Sequence, residues 1–293
     1  MRSLADRIAM SVEEDLGPGD LTTEATIPAS GVLSARIVAK QDLVVSGLGA
    51  AKLAFEEAGR RYGRFVACTP QVPDGTSVAR GTEVARVHGD ARAVLVGERT
   101  ALNLLMRMCG IATHVRGIVD AVGPSTFRLV DTRKTTPLWR DLEKAAVRHG
   151  GAANHRWGLF DGVLIKDNHI AAVGSVGEAV LRVRERVHQL VKIEVEVSEL
   201  TQIPEAIRAG ADGLLLDNMD DATLAEAVAL ARRQEREVFL EASGNMTLER
   251  LRRIAAFGLD VVSMGGLIHQ ATWADLSLQV TGGVAEAAPV PGA

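Results

Sequence analysis

The chain has 293 residues, with 33 lysines and arginines against 37 aspartates and glutamates, a formal net charge of −4. This length suffices for one large domain or two ordinary ones, and the mildly acidic balance argues against nucleic acid as a partner. Two cysteines are too few for a disulfide framework, and no apolar run approaches membrane-spanning length. Asp6 and Arg7 interrupt the first apolar residues, which argues against a signal peptide. We therefore expect a cytoplasmic protein without a membrane partner.

The first part of the chain predicts a small α/β domain. Leu4, Ile8 and Val12 are spaced as on one face of a helix, whereas the glycine- and proline-rich stretch 17–28 predicts a loop. Short alternating segments separated by glycines over 73–90 resemble the small β domains of hammerhead type. A carrier domain is the alternative, but the turn within 73–81 has no lysine at its tip, which gives this alternative little weight.

From residue 127 onward, apolar strand segments alternate with helical segments. The predicted strands are Phe127–Val130, Val163–Ile165, Ile193–Val197, Leu214–Leu216, Val238–Leu240 and Val261–Ser263. Repeated strand–helix units predict a parallel sheet with right-handed crossovers. Because six strands fall short of the eight of a complete barrel, we favour a partial α/β barrel, with a doubly wound open sheet as the alternative.

Polar residues follow each of these strands, at the edge where α/β barrels keep their active sites. The early strands and the segment between them supply cations: Arg133, Lys134, His155, Arg156 and Lys166. The later strands supply the carboxylates Glu194, Glu196, Asp217 and Glu241, and then the turn residues Ser243, Gly244, Asn245, Gly265 and Gly266. The sequence therefore predicts one site with a cationic half and an acidic, glycine-rich half.

The residue types indicate the ligand of this site. Each arginine can bind a carboxylate through two hydrogen bonds, and glycine turns admit phosphate groups. The carboxylates Glu196 and Asp217 suit ribose hydroxyls or Mg²⁺. We expect a ligand with carboxylates at one end and a phosphorylated sugar with metal at the other. Lys166 has an alternative role as a Schiff-base nucleophile of the aldolase kind, and His155 alone could be structural.

Several long motifs together resemble the quinolinate phosphoribosyltransferase family. They are DTRKTTP (131–137), GGAANHRWGL (150–159), IKDNHI (165–170), IEVEV (193–197), LLLDN (214–218) and EASGN (241–245). The resemblance runs from about residue 14 to 269. It implies transfer of phosphoribosyl from phosphoribosyl pyrophosphate to quinolinate, with loss of CO₂ and pyrophosphate, to give nicotinate mononucleotide for NAD biosynthesis.

The resemblance also implies an architecture and an assembly. It implies an N-terminal α/β sandwich over 1–110 and an incomplete α/β barrel over 111–269, with 270–280 packing back on the first domain. The small-residue, proline-containing stretch 281–293 is predicted to be disordered. The family works as a homodimer with shared active sites, and a higher oligomer is compatible with this.

Roles follow from the resemblance position by position. The residues expected to bind quinolinate are Arg133, His155, Arg156, Lys166 and, from the neighbouring subunit, Arg99. Lys134 is expected to contact the phosphate-bearing substrate, so the catalytic set is Lys134, Lys166, Glu196 and Asp217. Glu196 and Asp217 are expected to hold the ribose hydroxyls and Mg²⁺. The residues expected around the 5′-phosphate are Ser243, Gly244, Asn245, Gly265 and Gly266.

The chain departs from the family pattern beside the site. It has TTPLWR, with Leu138 and Trp139, where the family usually has TTPGLR, and Ala152 replaces the third glycine before Asn-His-Arg. A related family associated with molybdenum transport is an alternative, but the retained TRKTTP and NHR motifs favour quinolinate. We expect these departures to alter loop geometry and not the reaction.

Overall fold

The computed structural model describes residues 3–286, and the chain divides into two compact units. Within the described residues, the first unit comprises 3–116, 137–150 and 271–286, and the second comprises 117–136 and 151–270. The boundary near residue 116 falls inside one long helix. Residues 111–116 and 137–150 therefore belong to the first unit, whereas the sequence placed them in the barrel.

Elements are numbered in chain order through both units. The helices are α1 (Leu4–Leu16), α2 (Leu21–Thr26), α3 (Leu48–Arg61), α4 (Ala91–Val122), α5 (Arg140–His149), α6 (Asp167–Val173), α7 (Val176–Arg184), α8 (Gln202–Arg208), α9 (Asp221–Arg232), α10 (Leu248–Arg253) and α11 (Gly266–His269). The strands are β1 (Gly31–Ala39), β2 (Leu43–Val44), β3 (Val66–Pro70), β4 (Ser77–Val78), β5 (Glu83–Asp90), β6 (Arg128–Val130), β7 (Val163–Ile165), β8 (Ile193–Val197), β9 (Gly213–Asp217), β10 (Phe239–Ser243), β11 (Val261–Ser263), β12 (Leu276–Val280) and β13 (Ala285–Glu286).

The first unit is built on an antiparallel sheet in the order β12-β1-β5-β3, with β13 also pairing with β1. Ile37 of β1, Phe55 of α3 and Leu105 of α4 are completely buried in its core. The predicted disorder is wrong for β13, because residues 285 and 286 continue the backbone pairing along the edge of β1 next to Gly31 and Val32. Residues 287–293 lie outside the described part of the chain.

Helix α2 replaces part of the loop predicted over 17–28. Asp20 caps this helix, since its carboxylate accepts hydrogen bonds from the backbone N–H groups of Thr22 at 3.0 Å and Thr23 at 2.9 Å. An N-cap of this kind satisfies backbone donors that the first turn leaves without partners. The short helix therefore depends on one side chain more than on apolar periodicity.

Helix α5 belongs to the first unit because its polar side chains are paired there. Glu143 is buried and accepts from Arg107 of α4 at 3.0 Å, and Arg7 of α1 forms an ion pair with Asp141. Trp139 and Leu142 pack against the core of the same unit. Breaking a buried ion pair leaves an uncompensated charge, so these contacts hold α5 firmly in place.

The departure from the family pattern before α5 has a backbone consequence. Leu138 has a φ of 69°, in the left-handed region that glycine adopts without steric cost. Arg7 donates a hydrogen bond to the carbonyl oxygen of Leu138, and its guanidinium lies 5.5 Å from the ring centre of Trp139. The loop therefore keeps a conformation suited to glycine, and Trp139 packs against the core of this unit.

The second unit is an incomplete α/β barrel. Its parallel strands follow the order β6-β11-β10-β9-β8-β7. Around the barrel, the strands β6 to β11 therefore follow one another in chain order. The last strand, β11, pairs with β6, and the barrel is open between β6 and β7. A doubly wound sheet would reverse its strand order at one point, and this sheet does not. At the opening, Val130 forms a parallel backbone bridge with Ala153.

Two helix–strand units of the barrel use the same ionic clamp. Arg184 at the end of α7 donates to Asp212 before β9 at 2.6 Å, and Arg232 at the end of α9 donates to Asp260 before β11 at 2.7 Å. Each aspartate also accepts a backbone N–H of the preceding strand in the chain, β8 or β10. The clamps fix the strand register on which the position of the site depends. Among the described residues, no helix is both long and apolar enough to cross a bilayer.

Candidate active site

A cavity of about 670 Å³ lies at the carboxyl ends of the barrel strands. Every site residue that the sequence predicted lines it, except Arg99. Arg99 lies on α4 in the first unit, and its side chain is exposed. The structure therefore brings the two predicted halves of the site together in a single cavity of the second unit.

The register of the parallel strands explains why the polar residues share one face. Glu196 of β8 and Glu241 of β10 both lie opposite Leu215 of β9, and two residues further on, Ser243 of β10 lies opposite Asp217 of β9. Residues opposite each other in a sheet, and residues two apart in a strand, point to the same face. The period of two therefore places these carboxylates and Ser243 on the inner face.

The cationic wall of the cavity consists of Arg133, Lys134, His155, Arg156 and Lys166. Arg133 and Lys134 are exposed, whereas Arg156 is half-buried and donates to the carbonyl oxygen of Gly162 at 2.9 Å. Burial and the charge of Arg133 lower the pKa of Arg156. Because two cations oppose each other here, an anion bound between them would relieve the repulsion.

The acidic wall consists of Glu196 and Asp217 on neighbouring strands. Lys166 joins the two walls, because its Nζ lies 2.9 Å from Oε2 of Glu196. The side chain of Lys166 is 47% exposed, so this pair lies open to the cavity and carries little stability. Both of its members are therefore available for a ligand.

His155 is held over two buried carboxylates. Its Nε2 lies 3.3 Å from Glu241 and 3.5 Å from Glu194, and its Nδ1 accepts the backbone N–H of Arg156 at 2.7 Å. Because Nδ1 accepts a hydrogen bond, Nε2 carries the ring proton and faces the carboxylates. These three residues also have metal-ligand spacing, and Nε2 could bind a metal ion only by giving up this proton.

The carboxylates change the proton affinity of the ring. Burial and the hydrogen bond that Nδ1 accepts from Arg156 oppose the charged form, but the hydrogen bonds to Glu194 and Glu241 outweigh them and raise the pKa of His155 to about 10. Burial also raises the pKa of Glu194. Oε1 of Glu194 and Oε1 of Glu241 have no hydrogen-bond partner in the described structure, so His155 is the polar contact that compensates for their burial.

The sequence indicates Glu194 and Glu241 as strand-end carboxylates but gives neither of them a binding or catalytic role. The signal that could have identified Glu194 is its spacing, since Glu194 and Glu196 are two apart in one strand and must share a face. Glu241 follows the apolar part of β10 and is 2% exposed. The sequence assigned His155 to the substrate, whereas in the structure its ring contacts the buried carboxylates of Glu194 and Glu241.

The glycine turns, Ser243–Asn245 and Gly265–Gly266, form the remaining side of the cavity. Gly244 has a φ of 88°, and a Cβ there would come within 2.1 Å of Oδ1 of Asn218. A Cβ at Gly265 would come within 2.8 Å of Cδ of Lys134. Only glycine therefore allows both the close approach of Asn218 and the present position of the Lys134 side chain.

Comparisons with known proteins agree over nearly the whole chain. A family model described as "Quinolinate phosphoribosyl transferase, N-terminal domain" matches residues 20–109, and the corresponding C-terminal domain model matches residues 111–279. The chain is 42% identical over 268 residues to the "Probable nicotinate-nucleotide pyrophosphorylase [carboxylating]" of Synechocystis, covering 91% of this chain and 89% of that protein. It is 40% identical over 278 residues to the "Nicotinate-nucleotide pyrophosphorylase [carboxylating]" of Mycobacterium leprae, covering 94% and 96%.

Solved structures give the same result for the fold. The structure of NadC from Streptococcus pyogenes is similar to this chain with a TM-score of 0.86 and 34% sequence identity, and the match covers 95% of this chain and 97% of that one. The nicotinate-nucleotide pyrophosphorylase from Francisella tularensis is similar with a TM-score of 0.86 at 32% identity, covering 95% and 96%. The predicted combination of a sheet-containing N-terminal domain and an incomplete barrel is thereby confirmed.

Replacing Glu241 by glutamine should lower the pKa of His155 from about 10 toward its ordinary value of 6.5, because one of the two carboxylates loses its charge. In the native protein, the stabilisation from this raised pKa is complete below pH 6.5 and disappears as the pH rises through about 10. The measurement is an NMR titration of the His155 ring.

Glu196→Gln is the matched control, because Glu196 lies on the same inner face but is not one of the two carboxylates at His155. The control should leave the His155 titration unchanged. A His155 pKa that stays at about 10 in Glu241→Gln would show that the carboxylate pair does not set it.

Proposed function

The chain belongs to the quinolinate phosphoribosyltransferase family, and we propose that the cavity of its second unit is where it transfers phosphoribosyl to quinolinate. The reaction uses phosphoribosyl pyrophosphate, releases CO₂ and pyrophosphate, and gives nicotinate mononucleotide for NAD biosynthesis. The observation that carries the assignment of the site is one cavity in which the cationic wall faces the acidic wall and the glycine turns.

The cationic wall suits the diacid. Arg133 and Arg156 lie close enough for one charge to affect the other, and a guanidinium binds a carboxylate through two parallel hydrogen bonds. Lys166 adds a third cation, and its exposed Nζ can exchange Glu196 for a carboxylate of quinolinate. His155, fixed by its two carboxylates, presents the ring edge that completes this wall.

The opposite side of the cavity suits the phosphorylated sugar. The glycine turns bring backbone close to the ligand without intervening Cβ atoms, as a 5′-phosphate requires, and Lys134 lies beside Gly265 to contact the phosphate-bearing substrate. Glu196 and Asp217 are placed to hold the ribose hydroxyls. Both also offer carboxylate oxygens on one inner face, the donor set that Mg²⁺ prefers together with substrate phosphates.

Mg²⁺, when bound there, would neutralise charge on the departing pyrophosphate. The ring nitrogen of quinolinate donates its lone pair to C1 of the ribose, and the C1–oxygen bond to pyrophosphate breaks. The carboxylates of the acidic wall stabilise the positive charge that develops on the ribose. The ring nitrogen is then cationic, so it can accept the electron pair left when the 2-carboxylate departs as CO₂. C2 takes up a proton, and no decarboxylation cofactor is required.

We further propose a cytoplasmic homodimer with shared active sites, or a higher oligomer built from such dimers. Arg99 is a charged, exposed side chain on a helix, and Arg99 of the partner subunit would add a cation to the quinolinate end of the site. Helix α6 buries none of its residues, and Leu159 and Phe160 are 74% and 83% exposed. A second copy would cover these apolar side chains. The free, buried thiols of Cys68 and Cys109 suit a reducing compartment.

The purified chain, mixed with quinolinate, phosphoribosyl pyrophosphate and Mg²⁺, should release nicotinate mononucleotide and CO₂ in equal amounts. Arg133→Ala should reduce turnover roughly 10- to 100-fold, because it removes a charged hydrogen-bonding group from the ligand. Its melting temperature should stay close to that of the native protein, because Arg133 is exposed and serves no core contact.

Arg182→Ala is the control for this variant, because Arg182 is an exposed arginine on α7 of the same unit and pairs locally with Glu178. The control should keep full turnover. Absence of product with the native chain would contradict the proposed function, and unfolding of Arg133→Ala would contradict the role given to that residue.

Arg99→Ala and Lys166→Ala should each lose most activity, and mixing the two should restore part of it. In a two-fold hybrid dimer, one of the two sites keeps both native residues. Random exchange should therefore make about a quarter of all sites native. The measurement is turnover after subunit exchange, with each variant incubated alone as the control. No recovery, although mass spectrometry shows hybrid dimers, would contradict a shared site.

A further inference from the structure

Two loops line the phosphate side of the cavity, and a single arginine outside the cavity holds both. The first loop, 217–220, follows β9, and the second, 243–247, follows β10. Arg250 lies on α10, directly after the second loop, and its side chain is only 12% exposed. The function proposed above gives this residue no role.

The guanidinium of Arg250 has acceptors in both loops. Nη1 donates to the carbonyl oxygen of Gly244 at 3.0 Å, Nη2 donates to the carbonyl oxygen of Met219, and Nε donates to Asp221 at 3.0 Å. All three nitrogens are therefore used, and each loop gives up one backbone carbonyl to the same planar group. A lysine has one nitrogen and cannot reproduce this fork.

The two loops are also interlocked and strained. Asn218 and Asn245 have φ values of 53° and 47°, in the left-handed region that residues with a Cβ adopt only sparsely, asparagine more often than most. The backbone N–H of Asn218 donates to the carbonyl oxygen of Ser243 at 3.1 Å, and the Asn245 side chain donates to the Asn218 side chain at 3.3 Å. Strained backbone of this kind persists only where surrounding contacts hold it.

We propose that Arg250 is a positioning residue for the phosphoribosyl end of the active site. By engaging the carbonyl oxygens of Gly244 and Met219, it holds both loops in the strained arrangement that forms the phosphate side. The identity of the ligand rests on the proposed function, whereas the effect on the loops does not.

The neighbouring Arg253 separates this role from general stabilisation of α10. Its Nε donates to the other oxygen of Asp221 at 2.7 Å, so the two arginines share one acidic partner. Its side chain is 59% exposed, and its hydrogen bond goes to Asp221 and not to the loop carbonyls. Removing Arg253 thus weakens the same ion cluster while leaving both loops held.

The experiment compares Arg250→Met and Arg250→Lys with Arg253→Met in the full-length protein. Hydrogen–deuterium exchange without ligand should be faster in 217–220 and 243–247 for both Arg250 variants and unchanged for Arg253→Met. The dissociation constant for phosphoribosyl pyrophosphate with Mg²⁺ should rise roughly tenfold or more in the Arg250 variants, because the charged hydrogen bonds that hold the two loops are lost. The dissociation constant for quinolinate should stay within about twofold of the native value.

The possible outcomes distinguish a failure of the positioning role of Arg250 from a failure of the proposed function. Unchanged exchange in both loops of Arg250→Met, or equal weakening for both substrates, would overturn the positioning role. If Arg250→Met unfolds, it also loses quinolinate binding. The exchange rates of the two loops in Arg250→Lys then decide whether Arg250 positions them. If the native protein binds no phosphoribosyl pyrophosphate, the proposed function fails, while the exchange comparison still decides whether Arg250 holds the loops.

Discussion

Burial of Glu194 and Glu241 on the inner face of the barrel is the constraint on which the arrangement of the site depends. These carboxylates are 6% and 2% exposed, and buried charge is tolerated only where it is paired. His155 stands over both, and the backbone N–H of Arg156 fixes the orientation of its ring. The carboxylates therefore fix His155 and place negative charge beneath cations that would otherwise repel one another.

The rest of the site follows from the period of a β-strand. Because parallel backbone pairing aligns β8, β9 and β10, every second residue of these strands faces the same interior. Along that face Glu194 lies opposite Gly213, Glu196 and Glu241 lie opposite Leu215, and Ser243 lies opposite Asp217 beside the glycine turns. One geometric rule thus places the carboxylates that hold His155 and the carboxylates proposed to meet a ligand on the same inner face.

Sequence predicted most of the barrel, because apolar runs mark buried strands well. The bounds of β7, β8 and β11 agree with it, whereas β10 runs on to Ser243 after the apolar run has ended, because its backbone pairs with β9 as far as Asp217. The sequence could not assign α5 to its unit, since that depends on contacts with the distant Arg7 and Arg107. Nor could it distinguish Arg250 from the arginines beside it, because only the folded loops select one of them.

The most direct measurement of the central claim is a crystal structure of the protein with quinolinate bound. The account predicts both carboxylates of quinolinate within hydrogen-bonding distance of Arg133, Arg156 and Lys166, with the ring nitrogen turned toward Glu196 and Asp217. His155 should keep its contact with Glu241. Quinolinate bound outside this cavity, or with its carboxylates against the acidic wall, would contradict the account.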